Sequence, residues 1–147
     1  MSRTHILLIF LLLPLTLRSQ EDICIIVGVL NTDRTRDFTP TASAAGRDGK
    51  ISIDAIPQGG GSEAFSKFLT EELRPAIDSA YRTNGWNMLI GHSYAGLFTL
   101  NTFLRHTELF DTYLAVDPSL WWDQGRLVRE AEALVAGRDF KGKSLYI

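Results

Sequence analysis

At 147 residues, with 45% hydrophobic and 22% charged residues, the chain has ordinary globular composition and room for one domain. A formal net charge of −2 and the lack of any block of like charges exclude a basic nucleic-acid-binding face and an electrostatic tail. A single cysteine, Cys24, excludes an internal disulfide.

Arg3 and His5 precede an apolar run from Ile6 to Leu13, followed by Pro14-Leu15-Thr16-Leu17 and the polar exit Arg18-Ser19-Gln20. A basic start, a short apolar run and a small residue at the exit have the chemistry of a secretory signal peptide. Residues 1–19 are therefore assigned to a leader, and the chain to an exported protein, periplasmic or secreted. The run falls short of the ~20 residues that span a bilayer, which argues against stable membrane insertion once the leader is removed. A buried core helix of similar length is the alternative.

The segment Ile23 to Leu30 is almost continuously apolar and β-branched, the pattern of a strand buried on both faces of a parallel sheet. Cys24 lies inside it and is expected to be a buried strand residue. Residues 31–61 are polar and rich in Gly, Thr and Pro and read as a long loop, with a weak strand over Ile51 to Ile56. Gly59-Gly60-Gly61-Ser62 lacks the lysine of a phosphate-binding loop and reads as a flexible lead-in to a helix.

Ser62 is expected to cap that helix. Phe65, Phe68, Leu69, Leu73, Ala76, Ile77, Ala80 and Tyr81 then recur at helical spacing, with a kink expected at Pro75. Trp86 to Gly91 is a second buried strand. A sharp turn at His92-Ser93 leads into a helix from Tyr94 to His106, Thr112 to Asp117 is a third strand, Asp123 to Val135 a third helix closed by Gly137, and Ser144 to Ile147 a fourth strand. Strands alternating with helices predict an α/β fold with a mainly parallel sheet covered by helices on both faces.

Gly91-His92-Ser93-Tyr94-Ala95-Gly96 joins a buried strand to an amphipathic helix. A serine nucleophile has to project its hydroxyl from a strained turn, while small residues two before and two after let strand and helix pass closely. Ser93 is therefore the candidate nucleophile, and an inert serine in a chance turn is the bland alternative. At the helix N-terminus the Tyr94 backbone N–H would face a developing oxyanion, assisted by the helix dipole. His92 cannot turn back to serve as the base of its neighbour and is expected to pack against nearby loops. His106 lies ~18 Å along the helix and reads as a surface residue.

From these residues the sequence resembles the esterase family of α/β-hydrolases that contains siderophore trilactone esterases, S-formylglutathione hydrolases and mycolyltransferases. The similarity runs from about Ile25 to Ile147. Beyond the elbow its blocks are Val27 to Arg34, Arg36-Asp37-Phe38-Thr39-Pro40-Thr41, Phe65 to Tyr81, Phe110-Asp111-Thr112-Tyr113, and Asp117-Pro118-Ser119-Leu120-Trp121-Trp122. The Asp-aromatic-Thr-Pro and Pro-Ser-Leu-Trp-Trp blocks most resemble the siderophore-esterase branch. The resemblance implies a partial α/β-hydrolase domain over residues 23–147, with Arg34, His92, Trp121 and Trp122 at the substrate cleft. For Arg34 an ion pair with Asp33 or Asp37 is an equal alternative, and of the two tryptophans one is expected buried and one lining. Asp117 is expected in a turn before Pro118 rather than as the triad acid, and Asp123 at a helix N-terminus.

Members of such a family commonly need ~200–250 residues, and the triad acid and histidine follow the serine in chain order. The chain is therefore expected to be incomplete at both ends. The implied activity is ester hydrolysis through an acyl-enzyme on Ser93, acting on a small-molecule ester with no cofactor and no metal, since no His/Cys/Asp cluster has ligand spacing. An acyltransferase of the same fold and a catalytically inert fragment or binding module are the alternatives.

Overall fold

A computed structural model describes residues 6–8, 24–30, 33–51 and 56–147. The chain forms two compact units, Met1–Thr32 and Asp33–Ile147. In the first, strand β1 (Ile6–Leu8) pairs antiparallel with β2 (Val27–Val29), Ile6 opposite Val29. Apart from β1, the leader assigned to residues 1–19 lies outside the described residues. The expectation of a long parallel strand buried on both faces is corrected: β2 is three residues long, and Ile26 and Leu30 beside it are exposed, as is the free Cys24. Apolar composition alone did not distinguish a short antiparallel strand from a buried parallel one.

The second unit begins where a long loop was expected, yet that segment is folded. Helix α1 (Arg34–Phe38) starts at Asp33, whose carboxylate accepts the Arg36 N–H at 2.9 Å. Strands β3 (Ala42–Ser43) and β4 (Gln58–Gly59) pair antiparallel, and Ile51 bridges Ala45. Of the weak strand expected over 51–56, residues 52–55 lie outside the described residues and Ile56 is irregular and exposed.

Helix α2 (Ser62–Lys67) begins with Gly61, not Ser62, at the capping position. A Cβ at Gly61 would lie 2.8 Å from the Arg36 carbonyl oxygen, so α1 leaves room only for glycine there, and Ser62 is buried. The kink expected at Pro75 is spread over a π-helical stretch, Phe68–Leu73, followed by α3 (Arg74–Ala80). The Arg74 N–H reaches back to the Leu69 carbonyl, a five-residue step that widens the helix just before the proline, which has no N–H to give.

Strands β5 (Met88–His92), β6 (Thr112–Val116) and β7 (Ser144–Tyr146) form the parallel sheet, in register Met88–Thr112–Ser144 and Ile90–Leu114–Tyr146. Alternation turns Leu89, Gly91, Tyr113, Ala115 and Leu145 to one face. There α4 (Tyr94–Arg105) packs, with Leu97, Leu100 and Leu104 joining Ala115, Trp122 and Leu127 in the core. Phe38, Phe65 and Phe98 interlock with centroids 5.2 to 6.0 Å apart and hold α1 and α2 to α4. A 3₁₀ turn (Thr107–Leu109) and β6 follow, then α5 (Trp122–Val135).

Two expectations about this unit change. Helices were expected on both faces, but among the described residues the opposite face leaves Met88, Ile90, Val116 and Tyr146 exposed. Asp123 was expected at a helical N-terminus. Asp123, Gln124 and Gly125 instead run left-handed, with φ of 50°, 55° and 76°, before the regular part of α5. The Thr41 hydroxyl donates to the Asp123 carboxylate at 2.8 Å, which helps hold a conformation that costs L-residues about 1–2 kcal/mol each.

Candidate active site

The site is organised by the passage from β5 into α4. Ser93 sits between them at φ 59°, ψ −116°, a region normally open only to glycine. Small neighbours make the passage possible. A Cβ on Gly91 would stand 2.1 Å from the Ala95 carbonyl oxygen and 2.7 Å from the Thr99 hydroxyl, and one on Gly96 would stand 2.8 Å from the Val116 carbonyl oxygen. Strand, elbow and helix are thus pressed together where any side chain would intervene.

Hydrogen bonds hold the turn. The Ser93 N–H donates to the Val116 carbonyl at 3.0 Å, and the Ser93 carbonyl accepts the N–H groups of Leu97 at 2.9 Å and Ser119 at 3.1 Å. Holding such a residue costs about 1–3 kcal/mol. Leu97 and Phe98, 1% and 2% exposed, each contribute about 1.5–3 kcal/mol by burial, so packing of α4 outweighs the strain at its own start.

Tyr94 is the first residue of α4, where a backbone N–H has no acceptor within the helix and the dipole is positive. The Ser93 hydroxyl lies half-buried beside it, 3.2 Å from the buried hydroxyl of Ser119. An oxygen so placed can meet an electrophilic carbonyl while an N–H at the helix start receives the displaced charge.

Around the elbow three aromatic rings meet. Tyr94 lies 5.7 Å from Trp121 and 5.4 Å from Trp122, and its partial burial pushes the phenol pKa up. Trp122 is buried, with its indole N–H donating to the Thr41 carbonyl at 3.0 Å. It lines an open cavity of about 300 Å³ together with Tyr94, Thr35, Ser43 and Gln58, and among the described residues no charged side chain lines that cavity. Trp121 is half-buried and lines a second hollow of about 390 Å³ with Arg47 and Gln124.

The remaining sequence candidates fall elsewhere. Arg34 is exposed, with its guanidinium 5.8 Å from the Phe38 ring centroid, and lines neither hollow. Next to it, Arg36 grips Asp37 through Nε at 2.5 Å and Nη2 at 2.9 Å. Those hydrogen bonds raise the Arg36 pKa. His92 is exposed at the end of β5 rather than packed against loops, because its position alternates onto the bare sheet face. His106 follows the last residue of α4 and bonds Glu63 at 3.1 Å, with Glu108 at 3.8 Å. Asp117 is an exposed turn residue at φ 42°. Among the described residues no three His, Cys, Asp or Glu side chains group as a metal site.

Ser119 was the residue that sequence reasoning passed over. It stood within the Pro-Ser-Leu-Trp-Trp block, but nothing in that spacing announces a contact 26 positions back in the chain.

A parallel sheet carrying a strand–turn–helix elbow with a left-handed serine defines the α/β-hydrolase class. Residues 16–142 match the family described as "Putative esterase", and the chain belongs to it. It is 32% identical over 117 residues to the siderophore enterobactin esterase of Emericella nidulans and 33% identical over 124 residues to the ferri-bacillibactin esterase BesA of Bacillus subtilis. These alignments cover 75% and 76% of this chain but 38% and 42% of those proteins, so the chain spans about two fifths of the length of these relatives. A solved IroE-like serine hydrolase from Shewanella oneidensis superposes with a TM-score of 0.74 at 41% identity, over 82% of this chain and 38% of that one.

Proposed function

We propose that this chain carries the nucleophile of a serine esterase that cleaves siderophore-type esters. The observation that supports this best is the backbone of Ser93. A non-glycine residue at φ 59°, enforced by Gly91 and Gly96 and tied to Val116 and Ser119, is strain retained where a catalytic hydroxyl would need it. In this reading the Ser93 Oγ attacks the ester carbonyl carbon, the alcohol leaves, and water later releases the acyl group from Ser93. The Tyr94 N–H and the dipole of α4 receive charge on the carbonyl oxygen. The cavity beside Tyr94 and Trp122 takes the acyl portion, and Trp121 borders the substrate's outer parts. The relatives named for siderophore ester hydrolysis make a polyester siderophore the first substrate to try.

Serine at its ordinary pKa is a weak nucleophile without an adjacent base. His92 follows the wrong side of the backbone for its neighbour, and His106 is bonded to Glu63 beyond the far end of α4. The expected behaviour of the 147-residue chain is therefore slow turnover and slow labelling, both dependent on Ser93. The test pairs hydrolysis of an activated aryl acetate and of a siderophore trilactone with fluorophosphonate labelling, on the chain and on Ser93→Ala. Labelling that maps to Ser93 and vanishes in the variant supports the reading. Unlabelled protein with equal rates in both forms refutes it. The same proposal assigns residues 1–19 to an export leader, and protein recovered outside the cytoplasm with Met1 intact would count against that part.

A further inference from the structure

We propose that Ser119 is a positioning residue for Ser93: its buried hydroxyl, 3.2 Å from the Ser93 Oγ, donates a hydrogen bond to that oxygen and steadies the charge that gathers there as the Ser93 proton leaves. The inference rests on the reading of Ser93 as the nucleophile.

Ser119 meets Ser93 twice. Its backbone N–H donates to the Ser93 carbonyl at 3.1 Å, and its hydroxyl faces the Ser93 hydroxyl. The Ser119 carbonyl in turn accepts the Trp122 N–H at 3.1 Å, so the residue is fixed from both sides. It is 6% exposed, and its hydroxyl has little access to bulk water. The Ser93 hydroxyl, half-buried in the elbow, is the partner that satisfies it.

Between two neutral hydroxyls either oxygen can donate. Once Ser93 gives up its proton to a base, the direction is settled, because only Ser119 still carries a hydrogen. That hydrogen stays covalently bound to the Ser119 oxygen throughout, so Ser119 neither gains nor loses a proton. A hydrogen bond to an ionised acceptor is about twice as strong as one between neutral groups. The contact therefore stabilises the charged form of the group at position 93 more than the neutral form. It also leaves the Ser93 hydrogen free to point away from Ser119.

The test replaces the hydroxyl by a group whose ionisation can be read without turnover. In a Cys24→Ala background, which removes the chain's one native thiol, Ser93→Cys places a single thiol in the elbow. Its alkylation by iodoacetamide is followed against pH, with circular dichroism to confirm folding. Adding Ser119→Ala is expected to raise the pH midpoint and slow alkylation below that midpoint by about tenfold, the size expected for one charge-assisted hydrogen bond. Ser119→Gly, which also keeps the backbone N–H, should do the same, and Ser119→Thr should restore the parent midpoint. Folded Ala or Gly variants with the parent's midpoint would overturn the proposal. The two readings fail separately. A shifted midpoint alongside Ser93-independent ester hydrolysis would leave the positioning contact standing and remove the nucleophile assignment. An unshifted midpoint alongside Ser93-dependent hydrolysis would do the reverse.

Discussion

The Gly91 Cα and the Ala95 carbonyl approach so closely that a methyl group on Gly91 would sit 2.1 Å from that oxygen, with backbone rather than a flexible side chain in its way. Gly96 is nearly as confined, 2.8 Å from the Val116 carbonyl oxygen and 3.0 Å from the Pro118 Cα by the same measure. Gly91→Ala is therefore expected to destabilise the chain by about 3 kcal/mol or more, and Gly96→Ala by about 1–3 kcal/mol. Urea midpoints at constant slope measure both, and a Gly91→Ala protein as stable as its parent would contradict the packing described.

At position 93 stability and chemistry should part company. Ser93→Gly relieves a conformation that glycine adopts freely and is expected to raise stability by about 1 kcal/mol. Ser93→Ala keeps the strain and loses the hydroxyl contact with Ser119, and is expected to lose about 0.5–1.5 kcal/mol. Thermal melts of the three proteins check the order Gly, Ser, Ala. Both variants should fail to react with fluorophosphonate.

Trp122 closes the floor of the cavity beside Tyr94 while its indole N–H satisfies the Thr41 carbonyl. Trp122→Phe retains most of the apolar bulk but strands that carbonyl, so a loss of about 1–3 kcal/mol is expected in chemical denaturation. Trp121→Phe, at the half-buried neighbour, is expected to cost less.

Tyr113 is fully buried in β6. Its hydroxyl accepts the Phe110 N–H at 3.0 Å and donates toward the carbonyls of His106 and Thr107. Burial pushes its pKa from 10.0 up to about 12. The folded state thus holds the phenolic proton at pH values where the unfolded chain has released it. The stabilisation is complete below pH 10 and is lost as pH rises through about 12. Denaturation midpoints taken across that interval should fall, and Tyr113→Phe should flatten that part of the profile while lowering stability at neutral pH.

Those features whose cause is local were legible in the sequence. The elbow could be read from Gly91, Ser93, Ala95 and Gly96 because steric demand acts over a few positions, and β5, β6 and β7 could be read from short apolar runs bounded by turns. The Asp33 cap was not read as one, so α1 went unseen inside a polar stretch of Gly, Thr and Pro. The left-handed run at Asp123 depends on a hydroxyl 82 positions away at Thr41, and the contact of Ser93 with Ser119 on a loop beyond the next strand. Those arise only when the sheet brings distant segments together, and no periodicity encodes them. Cys24 and the residues around it show the opposite failure, where apolar composition suggested more burial than the chain provides.

The π-helical turn before Pro75 fixes the angular phase of everything after it. An α-helix advances each residue by about 100°, so a single extra residue looped into Phe68–Leu73 rotates the α3 face by that amount relative to α2. In that phase the Arg74 guanidinium reaches the Leu109 carbonyl and lies 4.9 Å from the Phe110 ring centroid, at the foot of β6. Deleting one residue from the stretch would produce a more regular helix and swing Arg74 out of reach of both. The irregularity thus works as a phase adjuster, and a shorter, straighter version of this helix would be the less compatible one with the segment that leads into β6.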